Sequence, residues 1–203
     1  MHSSAEVHNF AVERRKACLH GPGHSHTCGR VLFSEQVATR TQIRAEDYLR
    51  MTFEHDAELV HGELVERSMP DLMHSAIQFL ILLQFGTLAQ GFRIFPRPEI
   101  RLMVAPDAYR IADIAVFAGE HPRRIPDTPP LVVIEILSRD DRHLELMEKL
   151  EEYRQWGVGH IWVVDPSTKR FAVYSELGLH NISSLALPEY SFQLTPAELF
   201  ANI

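Results

Sequence analysis

From Thr41 onward, apolar residues recur in two rhythms, and the rhythm predicts the element. AELVHGELVER sets two short alternating runs on either side of His61-Gly62, which predicts a tight β-hairpin. PDLMHSAIQFLILLQFGTL opens on Pro70 and Asp71 and closes near Gly86 or Gly91, the punctuation of a helix. Before the hairpin, TQIRAEDYLRM reads as a short helix capped by Thr41 and carrying Ile43, Tyr48 and Met51. FRIF, EIRLMV and IADIAVFA read as strands, with APDAY as a turn between the last two. The Pro-rich HPRRIPDTPP leads into LVVIEIL, a further strand. DDRHLELMEKLEEYRQWG is amphipathic, with Leu146, Leu150 and Tyr153 on one helical face and Gly157 as its stop. HIWVVD, RFAVYSE and a strand near YSFQL follow, and PAELF closes as a short helix. Strands apolar on both faces, alternating with helices, predict an α/β fold: a mixed β-sheet flanked by helices on each side.

Residues 1–40 lack this periodicity and are expected to form a poorly ordered extension, with a short helix at Ala11–Cys18, ahead of a folded domain over 41–203. Within it, CLHGPGHSHTC gathers Cys18, His20, His24, His26 and Cys28, soft donors suited to zinc. Their spacing matches no familiar finger, and no apolar pattern flanks them. Two cysteines in 203 residues make no disulfide framework, so a reducing cytoplasm is the expected compartment. No apolar run approaches the roughly 20 residues of a membrane helix, and no apolar segment follows Arg14, Arg15 and Lys16 to suggest a secretory signal.

A net charge of −7 argues against diffuse adhesion to nucleic acid. It leaves room for a local basic groove, for which Arg97, Arg101, Arg110, Arg123, Arg124, Arg139 and Arg142 are candidates; scattered surface arginines are the alternative.

The chemistry-bearing feature is a pair of misplaced acids. IADIAVF carries Asp113 as its only charge, and LVVIEIL carries Glu135 as its only charge. Were these strands neighbours, their carboxylates would repel in a low-dielectric site unless one took a proton or a cation joined them. Mg²⁺ takes one or two protein carboxylates and fills its other positions with water or phosphate oxygen. The alternative is that each acid sits at a strand end and pairs with an arginine such as Arg110 or Arg139. A lysine reaching the same pocket could orient the attacking water and offset charge on a phosphate. Lys149 borders the stripe Leu146–Leu150–Tyr153, so its stem could lie along the sheet; a surface pairing with Glu145 or Glu152 is the other reading.

Asp113 in RIADIAVF, Glu135 in LVVIEILS and the run EKLEEYRQWGVGHIWVVDP together resemble the Uma-type family of restriction endonucleases, within the PD-(D/E)xK nuclease superfamily. The hairpin LVHGELVE and the helix holding His74 are similar to the same family, over roughly Thr41 to the C-terminus. The resemblance implies a restriction-endonuclease-like fold with an N-terminal β-hairpin region, and a Mg²⁺- or Mn²⁺-dependent nuclease acting on DNA. It implies Asp113 and Glu135 as metal ligands and Lys149 as a catalytic lysine moved from the strand to the following helix. Two departures stand: Ala112 replaces the usual proline before the aspartate, and Ser138-Arg139 replaces Ser-Pro.

Glu63 and His74 match family positions and could line the pocket's rim, with Glu63 as a further donor to a second metal. An exposed hairpin acid and a capping or core histidine are their respective alternatives. Glu99, in PRPEIRL, is another acidic candidate. Ser138 is expected to cap the following helix with Asp141, and Asp165-Pro166 to form a turn. Two other functions remain open: a non-catalytic binding or assembly protein whose acids are structural ion pairs, and a hydrolase of small phosphodiesters. A homodimer would suit double-strand cutting, though no residue specifies one.

Overall fold

The computed structural model describes residues 42–53, 56–119, 123–138 and 143–203, all within the unit Arg40–Ile203. The expected extension, its Cys/His cluster, Thr41, Asp141, Arg139 and Arg142 lie outside the described residues. The first described helix has Arg44 rather than Thr41 at its N-cap, without a side-chain cap bond, and Ile43 and Met51 fall outside it.

A one-turn helix, α1 (Ala45–Tyr48), precedes the hairpin β1 (Ala57–Val60) and β2 (Glu63–Glu66). His61 and Gly62 both take positive φ, 48° and 86°, as a type I′ turn requires. Helix α2 (Leu72–Leu88) is capped by the Asp71 carboxylate, which accepts from the His74 N–H, and it runs straight through Gly86. FRIF and EIRLMV are one strand, β3 (Ile94–Ala105), rather than two. Pro96 and Pro98 do not interrupt it, because β3 pairs only with β4 (Ala108–Ala118) among the described residues. Prolines two apart both turn their missing N–H to the outer edge, where no ladder bond is lost.

Then come β5 (Val132–Ile136), α3 (His143–Trp156), β6 (His160–Asp165), β7 (Arg170–Ser175), β8 (Gly178–Ile182), β9 (Leu185–Leu187), β10 (Phe192–Leu194) and α4 (Pro196–Leu199). Helix α4 starts at a Thr195–Glu198 capping box. Among the described residues eight strands form one mixed sheet, ordered β2-β1-β4-β5-β6-β7-β8 with β3 also on β4. β5 and β6 run parallel, joined across α3; β9 and β10 form a separate ribbon.

One sheet face buries Ile77, Ile81 and Phe85 of α2 against Ile114, Val116, Ile134 and Trp162. The other buries Leu150 and Tyr153 of α3 against Ala115, Val133, Ile161 and Val163. β4 is buried along its length up to Phe117 because it is covered on both faces. Among the described residues, no helix is long and apolar enough to cross a membrane.

Candidate active site

The site arises where the sheet comes apart. On one edge of β4, β1 pairs at Leu59↔Tyr109 and β5 pairs from Ile114↔Ile134 onward, which leaves a gap over Arg110–Asp113. Backbone groups in such a gap still need partners, and buried side chains supply them. Ile111 N–H donates to Glu58 Oε1 at 2.8 Å, and Lys149 Nζ donates to the Ile111 carbonyl at 2.8 Å. Beyond the last β4–β5 pair, Ile136 N–H donates to Asp113 Oδ2 at 2.7 Å. Carrying the Ile114↔Ile134 register one step further sets Asp113 opposite Glu135.

β4 is also irregular here. Ala112 packs on the α3 side and Ile114 on the α2 side, although residues two apart in a regular strand share a face. Opposite Asp113, between the pairs Pro98↔Ile114 and Ile100↔Ala112, Glu99 holds φ of 45°. A left-handed non-glycine costs on the order of 1 kcal/mol. It persists because Glu99 is held by Arg67, through an ion pair, and by Gln78 Nε2, which donates to Glu99 Oε1 and to the Asp113 carbonyl, both at 2.8 Å.

Asp113 and Glu135 are 3% and 5% exposed and share the lining of an open cavity of about 580 Å³. Glu58, Arg67, His74, Glu99, Arg110 and Lys149 line it too. Arg67 Nη2 donates to Asp113 Oδ1 at 2.6 Å, and His74 Nε2 lies 3.1 Å from Asp113 Oδ2. Glu135 Oε2 accepts from Lys149 at 3.0 Å, and Oε1 accepts from the Tyr153 hydroxyl at 3.0 Å. Lys149 also lies 2.9 Å from Glu58 Oε1. Glu58 Oε2 accepts from Arg110 at 2.9 Å, and Arg110 completes a fork on Glu152 with two bonds of 2.7 Å.

The electrostatics follow from burial and these neighbours. Burial, with the charges of Asp113 and Glu58, pushes Glu135 up to about 7 against the pull of Lys149. Burial also acts to raise Asp113, but the His74 bond and the charges of Lys149, His74 and Arg67 prevail and hold it below the usual range. Lys149 is raised: desolvation opposes its charge, yet Glu135, Glu58 and Asp113 together outweigh it, so it stays an ammonium. Glu58 is held low for the same reason, by Lys149 and Arg110 against burial. Glu135 thus lies where positive charge is still in demand.

The structure brings Asp113, Glu135, Lys149, His74 and Glu99 to one cavity. Glu63 stands apart from it, exposed on β2 beside the hairpin turn, while Glu66 and Arg67 at the strand's far end reach the lining. Neither acid pairs with Arg110, which is committed to Glu58 and Glu152, and Lys149 faces inward to Glu135 and Glu58 rather than outward. Among the described residues the middle-third arginines do not gather at the cavity. Of those described, only Arg110 lines the cavity; Arg101 lies over the Tyr48 ring and Arg123 pairs with Asp127. Sequence reasoning missed Glu58, Arg67, Gln78 and the Tyr153 hydroxyl. Glu58 did carry a signal, as a lone acid in the apolar run AELV.

The profile of the Uma2 family, described as "Putative restriction endonuclease", matches residues 45–196. The chain belongs to the Uma2 family. A crystal structure from Anabaena variabilis, titled as "a putative nuclease belonging to DUF820", superposes with a TM-score of 0.70 at 22% identity, over 78% of this chain and 98% of that one. At that identity it establishes the restriction-endonuclease-like fold alone. No curated protein matches the chain. In this Uma2 protein the match takes in every described residue that lines the cavity.

A divalent metal is implied by a nuclease of this kind, and the donor set can be tested against one. Among the described residues no group of three or more His, Cys, Asp or Glu is disposed to hold a metal ion. The two central acids offer hard oxygen donors, the kind a divalent cation such as Mg²⁺ or Mn²⁺ takes while it keeps water or phosphate in its other positions. The raised Glu135 fits as well, since a cation beside it would offset the burial and neighbouring negative charge that push it up.

Proposed function

We propose that this protein is a Mg²⁺- or Mn²⁺-dependent endonuclease that hydrolyses DNA phosphodiester bonds, with Asp113 and Glu135 holding the ion and Lys149 assisting. The observation that carries this reading is the gap in the sheet. Two buried carboxylates from successive strands and one buried ammonium meet at the wall of a cavity open to substrate. A bound ion would lower the pKa of a water and withdraw charge from the phosphoryl oxygens.

The residues themselves supply position and charge. Asp113 is fixed by the Ile136 N–H and His74, so one oxygen is anchored to the sheet. Glu135 is oriented by Tyr153 and Lys149. Because its pKa is raised, Lys149 is unsuited to act as a base; its ammonium steadies negative charge developing on the phosphate. Three acceptors hold it in place, so little reorganisation is needed when that charge appears.

One observation favours a second reading, a non-catalytic protein that keeps this fold. Every oxygen of Asp113 and Glu135 already has a protein donor, as structural ion pairs would. Supercoiled plasmid with Mg²⁺ or Mn²⁺ separates the two. Cation-dependent nicking lost in Glu135→Ala supports the nuclease. Nicking that survives Glu135→Ala comes from elsewhere, and no nicking by the native protein favours the second reading. Hydrolysis of a small phosphodiester with plasmid left intact would redirect the substrate class.

A further inference from the structure

Two cations serve the central acids, and they are held very differently. Lys149 has three internal acceptors and an 11% exposed side chain. Arg67 is at 18%, the most accessible of the cavity's cationic side chains, Arg110 being at 4% and His74 at 7%. It contacts one oxygen of Asp113, the one that neither the Ile136 N–H nor His74 occupies. Its other nitrogen rests on Glu99, which keeps a left-handed backbone and is braced by Gln78. Asp113 therefore has one oxygen committed to the fold and one neutralised by a guanidinium from the cavity wall.

We propose that Arg67 is an exchangeable counter-ion: it occupies Asp113 Oδ1 until a divalent cation displaces it, and the freed guanidinium then receives a phosphate of the substrate. The inference rests on the metal-dependent reading above. An oxygen cannot serve both partners at full strength, so Arg67 and the cation compete for Asp113. A guanidinium turned off a carboxylate keeps its planar fork of donors, which matches phosphate oxygens two at a time. Glu99 and Gln78 act as the post that sets Arg67 on Asp113 in the metal-free protein, which gives the strained backbone at Glu99 a purpose.

The two halves predict effects of opposite sign, which a merely structural arginine would not produce. In Arg67→Gln, calorimetric titration of the full chain with MnCl₂ should show a dissociation constant about tenfold lower than in the native protein, because the competitor is gone. That ratio corresponds to about 1.4 kcal/mol. In the same variant the KM for a duplex oligonucleotide at saturating Mn²⁺ should rise about tenfold. Arg67→Lys keeps the charge without the fork and should fall between the two on both measures; it also serves should the glutamine variant fail to fold. Unchanged or weaker Mn²⁺ binding in both variants overturns the competition, and an unchanged KM overturns the phosphate contact. If Mn²⁺ binding by the native protein is absent, or is indifferent to Asp113→Asn, the metal-dependent reading itself has failed, and the exchange falls with it.

Discussion

The two helices that cover the sheet contribute differently: α2 gives His74 and Gln78 to the rim of the site but is otherwise apolar against the sheet, whereas α3 buries charge there. Helix α2 lays Ile77, Ile81 and Phe85 on one face, where the neighbours are Ile114, Val116, Ile134, Trp162 and Phe192, all apolar. Phe85 stacks on Phe192 with ring centres 4.4 Å apart. Helix α3 also contributes an apolar pair, Leu150 and Tyr153, but next to them it buries Lys149 and turns the Tyr153 hydroxyl onto Glu135. Side chains of the α2 face can be exchanged for others of equal volume at small cost, because dispersion and burial are non-directional. The α3 face permits no such exchange. Its charges are buried in pairs, and removing one leaves the other without compensation. One face stabilises the fold, and the other spends part of that stability on holding charge beside a gap in the sheet.

Substitutions on the two faces should therefore separate activity from stability. The largest effect belongs to Asp113→Asn and Glu135→Gln. Each should lower plasmid cleavage by roughly 10³-fold or more, equivalent to about 4 kcal/mol of barrier, in a protein that still folds. Next is Phe85→Ala, which should cost about 3–5 kcal/mol in denaturant unfolding, with cleavage per folded molecule unchanged below the melting transition. If Phe85→Ala instead abolished cleavage while stability held, the division between the faces would be wrong.

A smaller effect is expected of Lys149→Met, a near-isosteric loss of charge. Cleavage should fall about 100-fold, in the range of an assisting group, while stability changes less than on truncation to alanine. Smaller again is a pH effect from Glu58. Its pKa in the fold lies below the ordinary 4.5. Its stabilising contribution is then complete above that value and lost as pH falls through the depressed one. Acid unfolding of Glu58→Gln should accordingly be shallower than that of the native protein in that window. Equal slopes would show that Glu58 titrates alike in both states. Smallest is Glu63→Gln, on the exposed hairpin away from the cavity, which should leave both cleavage and melting temperature near native.

What could be read in the sequence divides along the same line. The α2 face was legible because burial repeats with the period of the element, and Asp71 at the helix start is a local signal. Asp113 and Glu135 were legible as interruptions of that rule, each the only charge in an apolar strand. Lys149 could be placed because it borders a helical stripe, which fixes the side it emerges from. Arg67 was not legible. It lies in the polar stretch VERSMP, and its partner Asp113 is 46 positions away, so only closure of the sheet unites them. Glu58 was missed for a different reason. A hairpin strand is expected to turn alternate residues to solvent, but β1 sits between β2 and β4 and buries Ala57, Glu58 and Leu59 alike. The strands β8 and β9 escaped because GLHNI and LAL are short, and β8 is polar at His180 and Asn181.

The gap over Arg110–Asp113 places the acids, and the account stands on those acids jointly holding a divalent cation. The direct measurement is calorimetric titration of Mn²⁺ into the native protein, Asp113→Asn and Glu135→Gln at fixed pH, with circular dichroism to confirm that all three are folded. Saturable binding near one ion per chain in the native protein, weakened strongly in each variant, is the predicted result. Binding that persists in both variants, or none in the native chain, would contradict the central claim.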